Sequence, residues 1–405
     1  MAFSSLGTTH RAGRERLLWA LWVLAAIIGG LGFYERLAHG DKAADFSSYV
    51  PWGLWVAAYI YFSGLSAGAF LVAAATYVFR IRVLEPISRL SLLIAAVTLP
   101  MGLLMIGVDL GHLERAYLVF VRPQFHSMMA WMVWLYTAYL ILLFTMLWVS
   151  LKSVQPGRNP GAVTNDLATL RVLGLIGIPL VIGFAGGVGA LFATVAAREY
   201  WHSPLFPIFF LVGALTSGTA FLTAVVSWLW PSRDAAWKEL VILLGRIVLA
   251  LVLIEFILEW AEFSIPSWYQ IGSTYDLIRY VLFGPYWYVF WLVHLLAGVL
   301  VPVLLLAKTR SPGIIGLSAA LVAVTFFAVR LNLVIPGLIT PELRGLEQAY
   351  SDPIGNRLTF AYMPSWFEWQ LLLGVIAFGV ALWFVGTRLF PHVFPRPSQS
   401  SEVGQ

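Results

Sequence analysis

The chain has 405 residues, of which 60% are hydrophobic and only 11% are charged, and it contains 18 Trp and 27 Phe residues. Soluble domains are about 45–50% apolar and about 25% charged, so this composition excludes an ordinary soluble enzyme and indicates a membrane protein. The chain has no Cys, which excludes disulfides, iron–sulfur clusters and c-type haem attached to it. We attribute the net charge of +5 to loops that orient the protein in the membrane, and not to nucleic-acid binding.

Ten apolar stretches are each close to the ~20 residues that a helix needs to cross a bilayer. The stretches are long and continuous, which excludes the alternating ~10-residue strands of a membrane barrel. They predict an all-α polytopic membrane protein with spans at 16–34, 50–79, 90–111, 126–150, 170–196, 204–230, 239–263, 280–307, 313–336 and 367–390.

The distribution of Lys and Arg predicts how these spans are oriented. The termini and the loops on their side of the membrane hold 16 of the 25 Lys and Arg residues, and the other side holds nine. Acidic residues show the opposite distribution, with 6 on the side of the termini and 14 on the other side. The positive-inside rule therefore predicts that both termini are cytoplasmic, and we expect the membrane to be the inner membrane of a bacterium or archaeon. The polar segment 337–366, rich in Pro and Gly, is then a periplasmic loop.

A weak internal repeat suggests how the spans are grouped. Residues 66–74 (SAGAFLVAA) align without gaps to 217–225 (SGTAFLTAV), with five identities. Small residues at this density allow close helix contact. The alternative is chance similarity between Ala-rich helices; a true repeat predicts two four-helix bundles, spans 2–5 and 6–9, plus two peripheral helices. The predicted segments are 1–49 (tail and first span), 50–200 (first bundle), 201–336 (second bundle), 337–366 (loop) and 367–405 (last span and tail).

Charged side chains inside the hydrocarbon are functional candidates, because their burial is costly. Glu255, Glu259 and Glu262 are spaced i, i+4 and i+7, so they share one face of a helix. Arg330 lies at a matching depth in the ninth span and is predicted as their partner. The group forms either a structural ion pair or part of a proton path. It is also the mid-membrane site of an alternative interpretation, a secondary transporter.

A second group of polar residues lies at the outer ends of spans 3 and 4. Asp109 and His112 end the third span, and His126 opens the fourth. A carboxylate beside an imidazole can hold the oxygens of a quinone or quinol and pass protons as electrons leave. Exposed surface histidines are the alternative. We expect no haem b, because only His294 lies deep in the membrane, and we interpret it as a hydrogen-bonded core residue. No metal site is predicted.

Three segments resemble the NrfD/PsrC family of quinone-interacting membrane subunits: PWGLWVAAYIYFSGLSAGAF (51–70), DLGHLER (109–115) and FAYMPSWFEWQLLLG (360–374). The chain is most similar to the long, ten-span branch of that family. The resemblance implies two four-helix bundles and a bound quinone, either menaquinone or ubiquinone. It also implies two partners, a periplasmic ferredoxin-like iron–sulfur subunit and a catalytic subunit of molybdopterin, hydrogenase or multihaem type.

By position, the resemblance places the quinone site in the first bundle near the outer face. The implied quinone-binding residues are Tyr49, Trp52, Asp109, His112, Arg115 and His126. Among these, Asp109 and His126 are predicted to bind the quinone head group and to exchange its protons.

The chain departs from the family pattern at two positions. The stretch FSSYVPW before the second span has no His where the short members carry one, and the family's D-L-G-R-P reads D-L-G-H-L here. The predicted function is a membrane anchor of a respiratory oxidoreductase that exchanges electrons between quinone and the iron–sulfur partner, with or without proton translocation. A transporter and a purely structural anchor remain the alternatives.

Overall fold

Long helices make up most of the described part of the chain. The computed structural model describes residues 4–270, 272–341, 343, 345–346 and 359–394, and it contains no strand in this part of the chain. Within these residues, ten helices are long and apolar enough to cross a membrane, which confirms the predicted all-α membrane architecture. In chain order they are α1 (Ser4–His39), α2 (Leu54–Phe79), α3 (Ser88–Asp109), α4 (Met128–Lys152), α5 (Pro160–Ala193), α6 (Phe206–Leu229), α7 (Ala235–Tyr269), α8 (Val289–Lys308), α9 (Pro312–Ile339) and α10 (Trp366–Leu389).

The structure differs from the sequence prediction at the eighth span, which was expected to begin at residue 280. A separate short helix, Gly272–Phe283, precedes α8, and the two are parted by Gly284 and Pro285. Proline has no N–H for a helical hydrogen bond, so the apolar run breaks there. Residues 342, 344 and 347–358 of the predicted loop 337–366, and residues 395–405 of the C-terminal tail, lie outside the described residues. The loop begins later than predicted, because α9 continues to Ile339.

The helices pack in two groups that meet along α2 and α6. Helices α2, α3, α4 and α5 contact one another, as do α6, α7, α8 and α9. Helix α1 packs along α10, which in turn packs on α3. The most apolar window of α2 is 78% buried, whereas that of α1 is 11% buried. Helix α2 is therefore an interior element, and α1 presents its Leu-rich surface to lipid.

Helices α2 and α6 cross with their backbones in contact. A Cβ added at Gly218 would lie 2.7 Å from Gly68 Cα and 2.8 Å from the carbonyl oxygen of Leu65. A Cβ at Gly68 would overlap the carbonyl of Ala214. The two glycines lie in the two segments of the predicted repeat, 66–74 and 217–225. The small residues thus make the close helix contact expected of them, and they make it with each other.

Candidate functional site

Asp109 ends α3 and carries a buried oxygen without a partner. Its Oδ1 accepts no hydrogen bond from any described residue. Arg36 of α1 reaches the same helix end, with Nε 2.7 Å from the Val108 carbonyl oxygen and Nη2 2.8 Å from that of Leu110. The last carbonyls of a helix have no donor within the helix. Arg36 therefore satisfies them and places a positive charge near Asp109, whose buried Oδ1 keeps no partner among the described residues.

The two histidines of the predicted site lie exposed in the loop between α3 and α4. His112 Nδ1 is 2.8 Å from Glu114 Oε1, and Arg115 Nε is 3.9 Å from the same oxygen. A backbone hydrogen bond, together with the bond to His112, holds the pKa of Glu114 below its ordinary value. No hydrogen bond or ion pair among the described residues joins either histidine to Asp109. The predicted cluster is thus a buried acid with exposed imidazoles nearby.

Tyr49 and Trp52, predicted at the entrance to the quinone site, belong to different aromatic contacts. The ring of Tyr49 stacks on Phe360 with the centroids 4.1 Å apart. Trp52 stacks on Trp201 at 6.0 Å. Trp201 is 1% exposed and donates from Nε1 to the Leu333 carbonyl at 2.9 Å. Trp52 therefore lies over the junction of the two helix groups. Among the described residues, no hydrogen bond joins Tyr49 or Trp52 to the buried oxygen of Asp109.

Glu368 is an acid near Asp109 for which no role was predicted from the sequence. It is fully buried and forms a capping box with the serine that precedes α10. Its Oε1 accepts the Asp45 N–H at 3.2 Å, and its Oε2 accepts the hydroxyl of Tyr362. That hydroxyl also accepts the Leu54 N–H at 2.8 Å. Burial and the nearby Glu368 raise the pKa of Tyr362. Glu368 thus ties the start of α10 to the start of α2, and the S-x-x-E spacing could have revealed the capping box.

The three acids of α7 share one face as predicted, but each has a different environment. Glu259 Oε2 is 2.7 Å from Nε2 of His294 on α8. Glu262 Oε1 accepts the hydroxyl of Ser203 at 2.6 Å. Glu255 accepts no hydrogen bond from a described residue at either oxygen. His294 is a hydrogen-bonded core residue, as interpreted from sequence, and it lies in a π-helical stretch, Val289–Leu300. Such stretches often mark functional sites.

Arg330 lies near Glu255 without forming an ion pair with it. Its side chain is 1% exposed, and its guanidinium lies 4.7 Å from the ring of Phe210 and 4.9 Å from that of Phe326. A Cβ at Gly213 would lie 2.5 Å from Arg330 Nη2 and 3.1 Å from Glu255 Oε1. The arginine and the acid therefore border the same glycine from two sides. Arg330 and Glu255, which were predicted to pair, therefore interact electrostatically across a gap and form no direct ion pair.

Two cavities in the protein differ greatly in size and polarity, and the smaller one borders the acids of α7. A cavity of about 20 Å³ is bordered by Thr216, Glu255, Glu259, His294 and Thr325, which is room for one water molecule. A second cavity, about 540 Å³, is lined almost entirely by apolar side chains from α2, α3, α6, α9 and α10. The first can hold a proton carrier, and the second can hold a long apolar chain.

Comparison with known proteins identifies the family. Residues 43–342 match the family described as polysulphide reductase, NrfD. The chain is 32% identical to a selenate reductase subunit of Mesobacillus selenatarsenatis, over 93% of this chain and 94% of that protein. It is 29% identical to the Hdr-like menaquinol oxidoreductase integral membrane subunit of Archaeoglobus fulgidus (92% and 93% covered). It is 24% identical to the menaquinone reductase integral membrane subunit of Nitratidesulfovibrio vulgaris (95% and 93% covered). The chain therefore belongs to the NrfD polysulphide reductase family of membrane proteins.

Proposed function

We propose that this chain is the quinone-reactive membrane subunit of a multi-subunit oxidoreductase. Relatives that match it over more than nine-tenths of its length are named as a selenate reductase subunit and as membrane subunits of menaquinol and menaquinone oxidoreductases. The chain itself has no Cys to ligate an iron–sulfur cluster. In this proposal, electrons pass between the quinone and redox groups held by a partner at the outer face.

The observation that carries the proposal is the unpartnered oxygen of Asp109, buried at the outer end of α3. A quinone ring has an oxygen at each end, so two separate protein groups can each hold one of them. Asp109 binds one oxygen and exchanges its proton. His126, on the exposed loop that follows, binds the other oxygen and exchanges the second proton. Tyr49, Trp52, His112 and Arg115 line the approach.

The test compares matched variants of the assembled complex in a quinone-coupled turnover assay. We expect Asp109→Asn to lower turnover at least about tenfold, since positioned acid–base groups contribute about 10²–10⁴. Asp41→Asn is the control, because Asp41 is an exposed acid that also acts on Asp109 through its charge. For the histidine, His126→Gln is compared with His39→Gln, an exposed residue paired with Glu35. Unchanged turnover in Asp109→Asn would remove the assignment and favour a structural anchor.

The apolar cavity suits the tail of the same quinone. It follows α10 from Trp369 to Trp383, a rise of about 21 Å at 1.5 Å per residue. Its outer end adjoins Glu368, which acts on Asp109 through its charge. Val380→Trp, which fills the cavity, should raise KM for a long-tailed quinone and leave KM for a short-tailed analogue unchanged. An equal change for both quinones would contradict this placement.

Proton transfer through the second helix group is a further part of the proposal. It is favoured by Glu255, a buried acid with both oxygens unpaired, beside a cavity of water size. We place Glu255 and the Glu259–His294 pair on the path, with Arg330 holding a charge at its outer side. In proteoliposomes, Glu255→Gln should reduce proton movement per quinone turned over, whereas Glu262→Gln should not. No proton movement in the unmodified protein would overturn this part.

The same cavity argues against the secondary transporter. Binding sites for small organic molecules have volumes of about 300–1,000 Å³, but the space at Glu255 and Glu259 is about 20 Å³. Mass spectrometry of the protein, isolated from native membranes in mild detergent, separates the alternatives. We expect co-purifying quinone, a periplasmic iron–sulfur protein and a catalytic subunit. A lone chain without quinone would restore the transporter.

A further inference from the structure

A cavity of about 350 Å³ lies between the ends of α4 and α10, at the membrane face opposite Asp109. Helix α4 ends at Lys152 and α10 ends at Leu389, and a short 3₁₀ turn, Pro391–Val393, follows α10. Both ends lie on the side where Lys and Arg are concentrated. The volume falls within the range of small-molecule binding sites. None of the groups assigned to quinone or proton transfer borders it.

The lining of this cavity changes from apolar to polar along the membrane normal. Trp148, Leu151 and Leu389 form its apolar part, and Lys152, Gln155 and His392 form its polar part. Trp148 precedes Lys152 by one helical turn, which places it about 6 Å deeper in the membrane. Among the residues that the structure describes, no acidic side chain lines the cavity. This order of side chains is complementary to a molecule with an apolar chain and an anionic head.

Lys152 carries a charge that no described carboxylate neutralises, whereas Arg158, just beyond it, pairs with Asp166 at 2.7 Å. The carbonyls at the end of α4 favour a cation in the last turn. His392 is held in position by its own backbone, because its carbonyl accepts the Arg89 Nε at 3.0 Å and the following Val393 is fully buried. The polar part of the cavity therefore combines the charge of Lys152 with a His392 whose backbone is held in place.

The apolar part opens to lipid. Trp148 is 65% exposed on the surface of α4, and Leu389 is 65% exposed at the end of α10. Tryptophan is typical of the boundary between hydrocarbon and head groups. A ligand can thus enter laterally from the bilayer, with its chain against Trp148 and its head toward Lys152.

We propose that this cavity binds one anionic phospholipid. The phosphate lies at Lys152, Gln155 and His392, and an acyl chain lies along Trp148 and Leu389. Basic pockets between helix ends on the cytoplasmic side are suited to such head groups. The proposal does not depend on the quinone reaction, because the site lies at the other membrane face and shares no residue with the Asp109 group.

The experiment titrates the delipidated full chain in detergent with phosphatidylglycerol or phosphatidylcholine and counts bound lipid by native mass spectrometry. We expect one phosphatidylglycerol to bind more tightly than phosphatidylcholine. Lys152→Gln should weaken its binding about fivefold, as expected for one basic residue near a membrane surface. Lys308→Gln is the matched control, since Lys308 occupies the last turn of α8 but borders no part of this cavity.

A second variant tests the apolar part without changing the charge. Leu389→Trp, which reduces the space beside Trp148, should also weaken phosphatidylglycerol binding and remains informative if Lys152→Gln fails to fold. Equal affinities in Lys152→Gln and Lys308→Gln would overturn the proposal, as would equal binding of the two lipids. Displacement of the lipid by millimolar inorganic phosphate would show a site for free anions, and would overturn the assignment to a phospholipid.

Discussion

The crossing of α2 and α6 predicts that a single methyl group at Gly218 destabilises the whole molecule. In Gly218→Ala the new Cβ would lie 2.7 Å from Gly68 Cα, 2.8 Å from the Ala69 nitrogen and 2.8 Å from the Leu65 oxygen. Carbon atoms pack best at about 3.5–4.0 Å, so the helices must separate by about 1 Å. All three neighbours are backbone atoms, and none can rotate away.

The size of the effect follows from two opposing contributions. Overpacking of this kind costs about 1–3 kcal/mol, and the upper end applies here because only rigid backbone can move. Alanine is favoured over glycine within a helix by about 1 kcal/mol, which offsets part of the cost. We therefore expect Gly218→Ala to lower the free energy of unfolding by about 2 kcal/mol.

The assay is SDS-induced unfolding in mixed micelles, followed by circular dichroism. Gly30→Ala in α1 is the control, because a Cβ at Gly30 meets no atom within 4 Å; it should leave stability unchanged or raise it slightly. If Gly218→Ala is as stable as Gly30→Ala, the backbone contact between α2 and α6 does not hold the two helix groups together, and the reasoning fails.

Three further predictions concern buried hydrogen bonds. His294→Ala leaves Glu259 as an unpaired buried acid and should cost about 3–5 kcal/mol; adding Glu259→Leu should recover most of this loss in the same unfolding assay. Trp201→Phe removes the 2.9 Å bond to the Leu333 carbonyl and should lower the free energy of unfolding by about 1–3 kcal/mol. Unchanged stability would mean that a water molecule replaces the indole N–H. The raised pKa of Tyr362 means that the unfolded state binds fewer protons above about pH 10, so stability should fall as pH rises beyond that value. Tyr362→Phe should flatten this decline, and an unchanged slope would contradict it.

The sequence predicted the ten spans because a bilayer demands long apolar helices with satisfied backbones. The hydropathy of the sequence reports this requirement clearly. It does not report where the backbone of an apolar run breaks. The break at Gly284 and Pro285, between the short helix Gly272–Phe283 and α8, was missed for this reason. The sequence shows the glycine and the proline, but whether they end the helix depends on the hydrogen bonds of the neighbouring residues.

The candidate sites were predicted less completely than the spans. Helical spacing placed Glu255, Glu259 and Glu262 on one face, because that relation lies within a single helix. The contact between Glu259 and His294 joins residues 35 positions apart, and spacing alone does not tell which faces of two helices meet. The hydrogen bonds of Glu368 with Tyr362 were missed for the same reason, although both residues belong to the segment 360–374, which resembles the family. The quinone contacts assigned to Asp109 and His126 stay a prediction.

The contact between Gly68 and Gly218 also bears on how the chain is assembled from its halves. Gly68 touches the residue next to its counterpart in the predicted repeat, since an offset of 151 relates Gly68 to Thr219. A surface that meets its own copy in this way is self-complementary, as in a two-fold symmetric dimer. A half-length ancestor with such a segment would pair with itself, and joining the halves makes that pairing intramolecular. Once joined, the halves are free to specialise: Asp109 belongs to one, and the Glu259–His294 pair belongs to the other.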